Sequence, residues 1–190
     1  MEDEDLLRRA RHGDRNAFSE LVTAYQDRLY TTALRVVGNS ADAADVVQET
    51  FLRAYLHLDD LDARGLRAWL FRVAVNCCRD LQRRQQRRPW EPIGDAQGNV
   101  VELPAPELGP EERAILRERR ETVAASLARL PLDLRTVVVL RDVNQLSYEE
   151  IATVLRIPVG TAKSRVNRAR LQLAAGLRGS PLFAAEGGAS

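Results

Sequence analysis

The sequence predicts an all-α protein made of two small helical domains joined by a flexible linker. Three observations lead there. Apolar residues recur at three- and four-residue steps through most of the first 88 positions and again beyond position 110, as in helices with one buried face. Between them PWEPIGDAQGNVVELPAPELGP is punctuated by proline and glycine and keeps no period. A chain of 190 residues, 45% hydrophobic and 29% charged, also suits a soluble globular protein of one or two small domains. The predicted division is a first domain over 1–88, a linker over 89–110, a second domain over 111–178 and a tail over 179–190.

Residues 5–12 form a short helix with Leu6, Leu7 and Ala10 inward, closed by Gly13. Asp14 caps the next, which places Phe18, Leu21, Val22, Tyr25, Leu29, Ala33 and Val36 on one face and ends at Gly38. Ser40 opens a third helix with Val46, Val47, Phe51, Ala54 and Leu58 on or near its apolar side. Its other side carries Asp42, Asp45, Glu49 and Arg53, with Gln48 and Leu52 beside them. From spacing alone this acidic stripe reads as a solvated face.

After the polar stretch HLDDLDARG, a helix over 66–88 buries Leu66, Trp69, Leu70, Val73, Cys77 and Leu81. Arg72, Asn76, Arg79, Arg83 and Arg87 share another stripe, and Arg84 and Arg88 strengthen its cationic end. Like charges this dense repel unless an anion neutralises them, and nucleic acid is the economical partner. Each neutralised phosphate adds a log–log salt slope of about −0.9 on duplex or about −0.7 on a single strand. Beyond the linker Pro110 starts a helix, with Glu111 and Glu112 at the positive end of its dipole. Leu116, Val123, Leu127 and Leu130 follow, then a restart at Pro131. Leu182 and Phe183 in the tail could dock on the body.

The most informative stretch is SYEEIATVLRIPVGTAKSRVNRARLQL, residues 147–173. Ser147 and Glu150 have capping-box spacing, and Pro158 ends the first helix. A second helix, from about Val159, buries Ala162, Val166, Ala169 and Leu173. It shows Gly160, Lys163, Ser164, Asn167, Arg168 and Leu171 on the opposite side. Helix, tight turn and helix make a helix-turn-helix, and no Asp or Glu occurs between Glu150 and Glu186. A solvated helix usually mixes both signs. An unbalanced basic one suits the DNA major groove.

The net charge of +1 hides this segregation, because acids gather around 2–5, 42–49, 59–62 and 102–121, and bases around 79–88 and 156–178. The two cysteines, Cys77 and Cys78, are neighbours on a helix and read as buried structural thiols of a reducing compartment. No signal peptide and no apolar run of about 18 residues occurs, so a cytoplasmic protein not integral to the membrane is expected. No cofactor, metal or small-molecule substrate is implied.

DLLRRARHGDRNAFSELV, DAADVVQETFLRAY, LRAWLFRVAVNCCRDLQRRQQRRP and LARLPLDLRTVVVLRDVNQLSYEEIATVLRIPVGTAKSRVNRAR occur in that order. Together they resemble the extracytoplasmic-function (ECF) sigma factors of the sigma-70 family, over nearly all of residues 5–178. The resemblance implies an alternative sigma factor with only sigma domains two and four. It would bind core RNA polymerase, recognise −35 and −10 promoter elements, promote initiation and answer to an anti-sigma factor. It assigns Asp45, Gln48, Glu49 and Leu52 to core binding at the β′ clamp helices, reversing the solvated-face reading. It assigns Arg72, Asn76, Arg79, Arg83 and Arg84 to the −10 element, and residues 57–65 to a flipped base. Arg141, Tyr148, Glu149, Lys163, Ser164, Asn167 and Arg168 fall at −35 positions, and the second domain at the β flap. Asn167 stands where a larger residue can occur, and Arg156 where glycine is common, which implies a strained left-handed turn.

Two rivals remain in view. A dimeric helix-turn-helix operator-binding regulator would need neither the arginine-rich helix nor the long linker. An enzyme finds no support: His12 and His57 are isolated, and no HExxH, P-loop or GxSxG motif occurs.

Overall fold

A computed structural model describes residues 2–87 and 109–178, and there the chain is helical. The first module comprises α1 (Glu2–Arg11), α2 (Arg15–Val37), α3 (Ser40–Leu56), a 3₁₀ turn (Leu58–Asp60) and α4 (Leu66–Arg87). The second comprises α5 (Pro110–Arg129), α6 (Leu132–Val138), a π turn (Val139–Val143), α7 (Tyr148–Leu155) and α8 (Val159–Arg178). The central linker, and the expected docking of Leu182 and Phe183, lie outside the described residues.

Helix boundaries follow local chemistry. Asp14 Oδ1 accepts from the Asn16 and Ala17 amides at 2.9 and 3.3 Å, satisfying donors that the first turn of α2 cannot. Arg9 donates to Oδ2 of the same carboxylate and holds its pKa below the usual carboxylate value. Gly38 ends α2 at φ 86, a left-handed conformation that glycine adopts without a Cβ clash. Ser40 opens α3, as expected, and Asn39 before it supplies the cap, its Oδ1 accepting from the Asp42 amide at 2.9 Å. Asn39 holds the extended backbone (φ −140, ψ 140) that a cap requires.

In the first module α2 packs on α1, α3 and α4. Leu29, Ala33, Val36, Phe71, Ala74 and Cys78 are fully buried at the centre, and Trp69 packs against this core as a partly buried residue. Burial pushes both thiols up, Cys78 to about 12. The folded state therefore favours protonated thiols. Their contribution is present below the ordinary thiol value of 9.0 and is lost as pH rises above it. Both cysteines are expected to resist iodoacetamide in the native chain near pH 8 and to react promptly in denaturant, as counted by mass spectrometry.

In the second module α5, α6 and α7 all pack on α8. Leu140, Leu146, Ile151, Ala162 and Ala169 are wholly buried there. α7 ends at Arg156 with φ 54 and ψ 50, the left-handed conformation expected from its place in the turn. A side chain there costs about 1–2 kcal/mol, part of which glycine gives back as chain entropy. Arg156→Gly should therefore raise stability by about 0.5–1 kcal/mol, measurable as a higher urea midpoint.

The two modules are in contact. α4 lies against α7, and α2 against α5, α6 and the π turn. Two domains joined by a flexible linker were the expectation, and their packing together was not legible because long-range pairing leaves no periodic trace in sequence.

Candidate nucleic-acid interface

The helix-turn-helix is built as its sequence dictates. Ser147 Oγ accepts from the Glu150 amide at 3.1 Å, and Glu150 Oε2 accepts from the Ser147 amide at 2.7 Å. This reciprocal cap fixes where α7 begins. The Ile157 amide then reaches back to the Ala152 carbonyl at 3.1 Å, and Pro158 offers its carbonyl to the Ala162 amide at 3.0 Å. These bonds set the angle between α7 and α8.

On α8, Ala162, Val166 and Ala169 are buried, while Gly160, Lys163, Ser164, Asn167, Arg168 and Leu171 are exposed, as spacing predicts. Tertiary contacts then sort the cations. Arg170 Nε donates to Asp142 at 3.0 Å, and Arg165 pairs with Asp133 at 3.3 Å. Both acids lie on other elements, so the absence of acids along α8 overstated its free charge. Arg168 is exposed and has no ion pair among the described residues.

Tyr148 gathers two other sequence-predicted residues, Arg141 and Lys163. Its ring lies 4.8 Å from the Arg141 guanidinium carbon and 5.6 Å from the Lys163 ammonium. Cation–π contact of this kind orients both cations beside the start of α8. Arg141 Nη1 also donates to the Leu146 carbonyl at 2.7 Å. Glu149 is exposed in the first turn of α7.

Along α4, Asn76, Arg83 and Arg84 are exposed and Arg72 is half-buried. Arg79 departs from the open stripe that was expected: its side chain is 24% exposed and pairs with Asp133 at 3.4 Å. One aspartate of α6 thus bridges the basic faces of α4 and α8. Beside α4, Arg11 donates to the carbonyls of Leu58 (3.1 Å) and Leu61, fastening the Asp-rich loop. A cleft of about 370 Å³ opens there between α1 and the loop, lined by Glu4, Leu7, Asp59, Asp60 and Arg64 among others.

On α3 the acidic stripe runs into an apolar one. Asp45, Gln48 and Glu49 lead at three- and four-residue steps to Leu52, Tyr55 and Leu56, which are 52%, 54% and 69% exposed. Tyr55 is steadied edge-on against Phe18, centroids 5.2 Å apart. Sequence reading stopped at Leu52, although the same spacing reaches Tyr55 and Leu56. Three large apolar side chains exposed together and rimmed by acids have the composition of an interaction surface rather than of a merely solvated stripe.

Two family profiles match parts of the chain. The Sigma-70 region 2 profile matches residues 21–88, and the Sigma-70 region 4 profile matches residues 120–173. The ECF RNA polymerase sigma factor SigW of Bacillus subtilis is 33% identical over 177 residues, covering 90% of this chain and 95% of the relative. The chain belongs to the ECF sigma factors of the sigma-70 family. The ECF RNA polymerase sigma-E factor of Escherichia coli K12 is 39% identical over 181 residues, 90% of this chain and 91% of that one. Among solved structures, CnrH in complex with the cytosolic domain of CnrY superposes with TM-score 0.71 at 32% identity, covering 95% of this sigma factor and 99% of CnrH. A Bartonella quintana sigma factor, RpoE, crystallised with the anti-sigma factor NepR, shares the fold with TM-score 0.65 at 24% identity, covering 85% and 96%.

In this sigma factor α4 belongs to the region 2 match and the helix-turn-helix to the region 4 match. Among the described residues no helix is long and apolar enough to cross a membrane, and no cluster of His, Cys, Asp and Glu is placed to hold a metal.

Proposed function

We propose that this chain is an alternative sigma factor that carries core RNA polymerase to −35/−10 promoters. The observation that carries the reading is the pair of cationic helix faces, one on α4 and one on α8, set in modules that match sigma regions 2 and 4. In the proposed division residues 1–88 form sigma domain 2 and residues 111–178 sigma domain 4. The exposed α3 stripe of Asp45, Gln48, Glu49 and Leu52 grips the polymerase β′ clamp helices, extended by Tyr55 and Leu56. Domain 4 rests on the β flap.

Arg72, Asn76, Arg79, Arg83 and Arg84 hold the opened −10 strand, and the cleft beside the Asp-rich loop receives an unstacked base. Unstacking costs a few kcal/mol, offset by base-edge contacts inside a pocket. Lys163, Ser164, Asn167 and Arg168 read the −35 major groove, while Arg141 and Tyr148 orient Lys163 and Glu149 flanks it. Phosphodiester synthesis belongs to the polymerase, and the chain works in the cytoplasm without chemistry of its own. Control by an anti-sigma protein is supported by the complexes that two similar chains form, CnrH with the cytosolic domain of CnrY and RpoE with the anti-sigma factor NepR.

Run-off transcription with purified core polymerase on a promoter library tests the reading. Promoter-dependent transcripts that require this chain are expected. A dimer that ignores polymerase and binds a palindromic operator would replace it with the regulator reading.

A further inference from the structure

We infer that Arg11 of α1 is a positioning residue for base capture: it holds both ends of the Leu58–Asp60 turn, and the turn so held selects the base that the cleft accepts. This role rests on the proposed reading that the cleft receives an unstacked base of the −10 strand.

The turn has little of its own to keep its shape. It is a 3₁₀ turn of three residues, a geometry with poor hydrogen bonds, and no side chain caps its start at His57. The Asp60 amide reaches the His57 carbonyl at 3.0 Å, but the closing bond from the Leu61 amide to the Leu58 carbonyl is long, 3.4 Å. Leu61 is buried and anchors the far end, while Asp59 and Asp60 face solvent. Asp62 adds a third like charge close by, and mutual repulsion loosens the segment further.

Arg11 supplies the missing restraint. Its Nε donates to the Leu58 carbonyl at 3.1 Å and its Nη2 to the Leu61 carbonyl. One planar fork spans both ends of the turn, and its fixed donor geometry fixes how far apart the two carbonyls stand. The same group sets a positive charge beside the acidic turn. Leu7 and Ala10 are buried and α1 packs on α2, so the fork stands on a packed helix rather than on a loop. Arg11 also lines the cleft, with Leu7 and Glu4 one and two turns before it on the same face of α1. Spacing gave Arg11 no role, because its acceptors lie 47 and 50 residues further on. The region 2 profile begins only at residue 21.

A preformed wall matters because the cleft has to discriminate. Its volume of about 370 Å³ lies within the range of sites that enclose small ligands, about 300–1,000 Å³. Hydrogen bonds from a base edge to Asp59, Asp60 or the carbonyls of the turn depend on where those acceptors stand. A wall that holds its shape about a tenth of the time binds about tenfold more weakly, since apparent affinity scales with the competent fraction. The loss falls on the base inside the cleft rather than on phosphates, so it reads out as selection lost at one position.

The test uses holoenzyme reconstituted from core polymerase and the full chain, with Arg11→Ala and Arg11→Lys beside the parent. Fluorescence anisotropy measures binding to a single-stranded −10 oligonucleotide in which each position in turn is made abasic. The parent should lose affinity at one position when its base is removed. Arg11→Ala should bind the intact strand about tenfold more weakly and lose little more from the abasic change, the coupling expected of two groups that act through one pocket. Core affinity and −35 selection should stay unchanged. Arg11→Lys keeps the charge but not the fork and should resemble Arg11→Ala. It also carries the test if Arg11→Ala loses helicity by circular dichroism. Equal abasic losses in parent and variants, or full recovery by lysine, overturn the role of Arg11 and leave the cleft reading standing. A matching fall in core affinity or −35 selection marks a general structural role and overturns it too. A parent indifferent to every abasic position overturns the cleft reading and the role of Arg11 together.

Discussion

Replacing Glu49 by arginine is expected to abolish assembly with core RNA polymerase and leave the fold intact. Glu49 sits at the middle of the exposed α3 stripe, and its local tie is to Arg53, 2.7 Å away one turn on. Exposed pairs at this spacing are worth about 0.3–0.5 kcal/mol, so losing this one barely moves the unfolding midpoint. At a docked interface the effect is of another order. A cation in place of a carboxylate faces whatever cationic surface the acidic stripe was shaped to meet, and like-charge juxtaposition costs several kcal/mol. A loss of about 100-fold or more in affinity follows, since each ~1.4 kcal/mol is tenfold. Fluorescence anisotropy of labelled chain titrated with core polymerase measures it. Normal holoenzyme formation by a folded Glu49→Arg variant would remove α3 from the docking surface.

Truncating Arg168 to alanine is the second large effect, expected on promoter choice more than on folding. Its neighbours in sequence explain why. Arg165 and Arg170 are tied to Asp133 and Asp142, whereas Arg168 projects from the exposed face with its charge unspent. A bidentate contact to a base edge is worth about 1–3 kcal/mol of discrimination, or about 5- to 150-fold between matched and mismatched sites. Arg168→Ala should lose that much at one −35 position, while thermal stability stays within error. Arg170→Ala supplies the contrast, because it gives up an exposed pair with Asp142 worth at most about 1 kcal/mol and should leave sequence choice intact. Selection from a randomised −35 library reads both. An unchanged preference for Arg168→Ala would place this residue off the reading face.

Local physics made much of this legible in sequence. The Ser147–Glu150 box, the left-handed Arg156, the inward Ala162–Val166–Ala169 line and the Asp14 cap all depend on residues within a few positions of one another. Helical periodicity and capping chemistry express themselves at that range. The Ser40 start of α3 is legible too, whereas its Asn39 cap is set by backbone angles that sequence does not display. The α3 stripe of Asp45, Gln48, Glu49 and Leu52 is visible in the sequence at three- and four-residue steps. Its apolar continuation through Tyr55 and Leu56 was passed over, because exposure cannot be told from burial by spacing alone.

By itself the sequence determined two amphipathic helical modules, the helix-turn-helix, and the segregation of charge that a sigma factor requires. These are one-dimensional patterns. Only the tertiary structure decided which cations are spent: Asp133 holds Arg79 and Arg165, and Asp142 holds Arg170. Only it brought Arg28 and Arg67 to the Asn144 carbonyl, more than seventy residues away. Pairings at that distance depend on how finished helices pack against each other, and packing is a property of surfaces that no local period encodes.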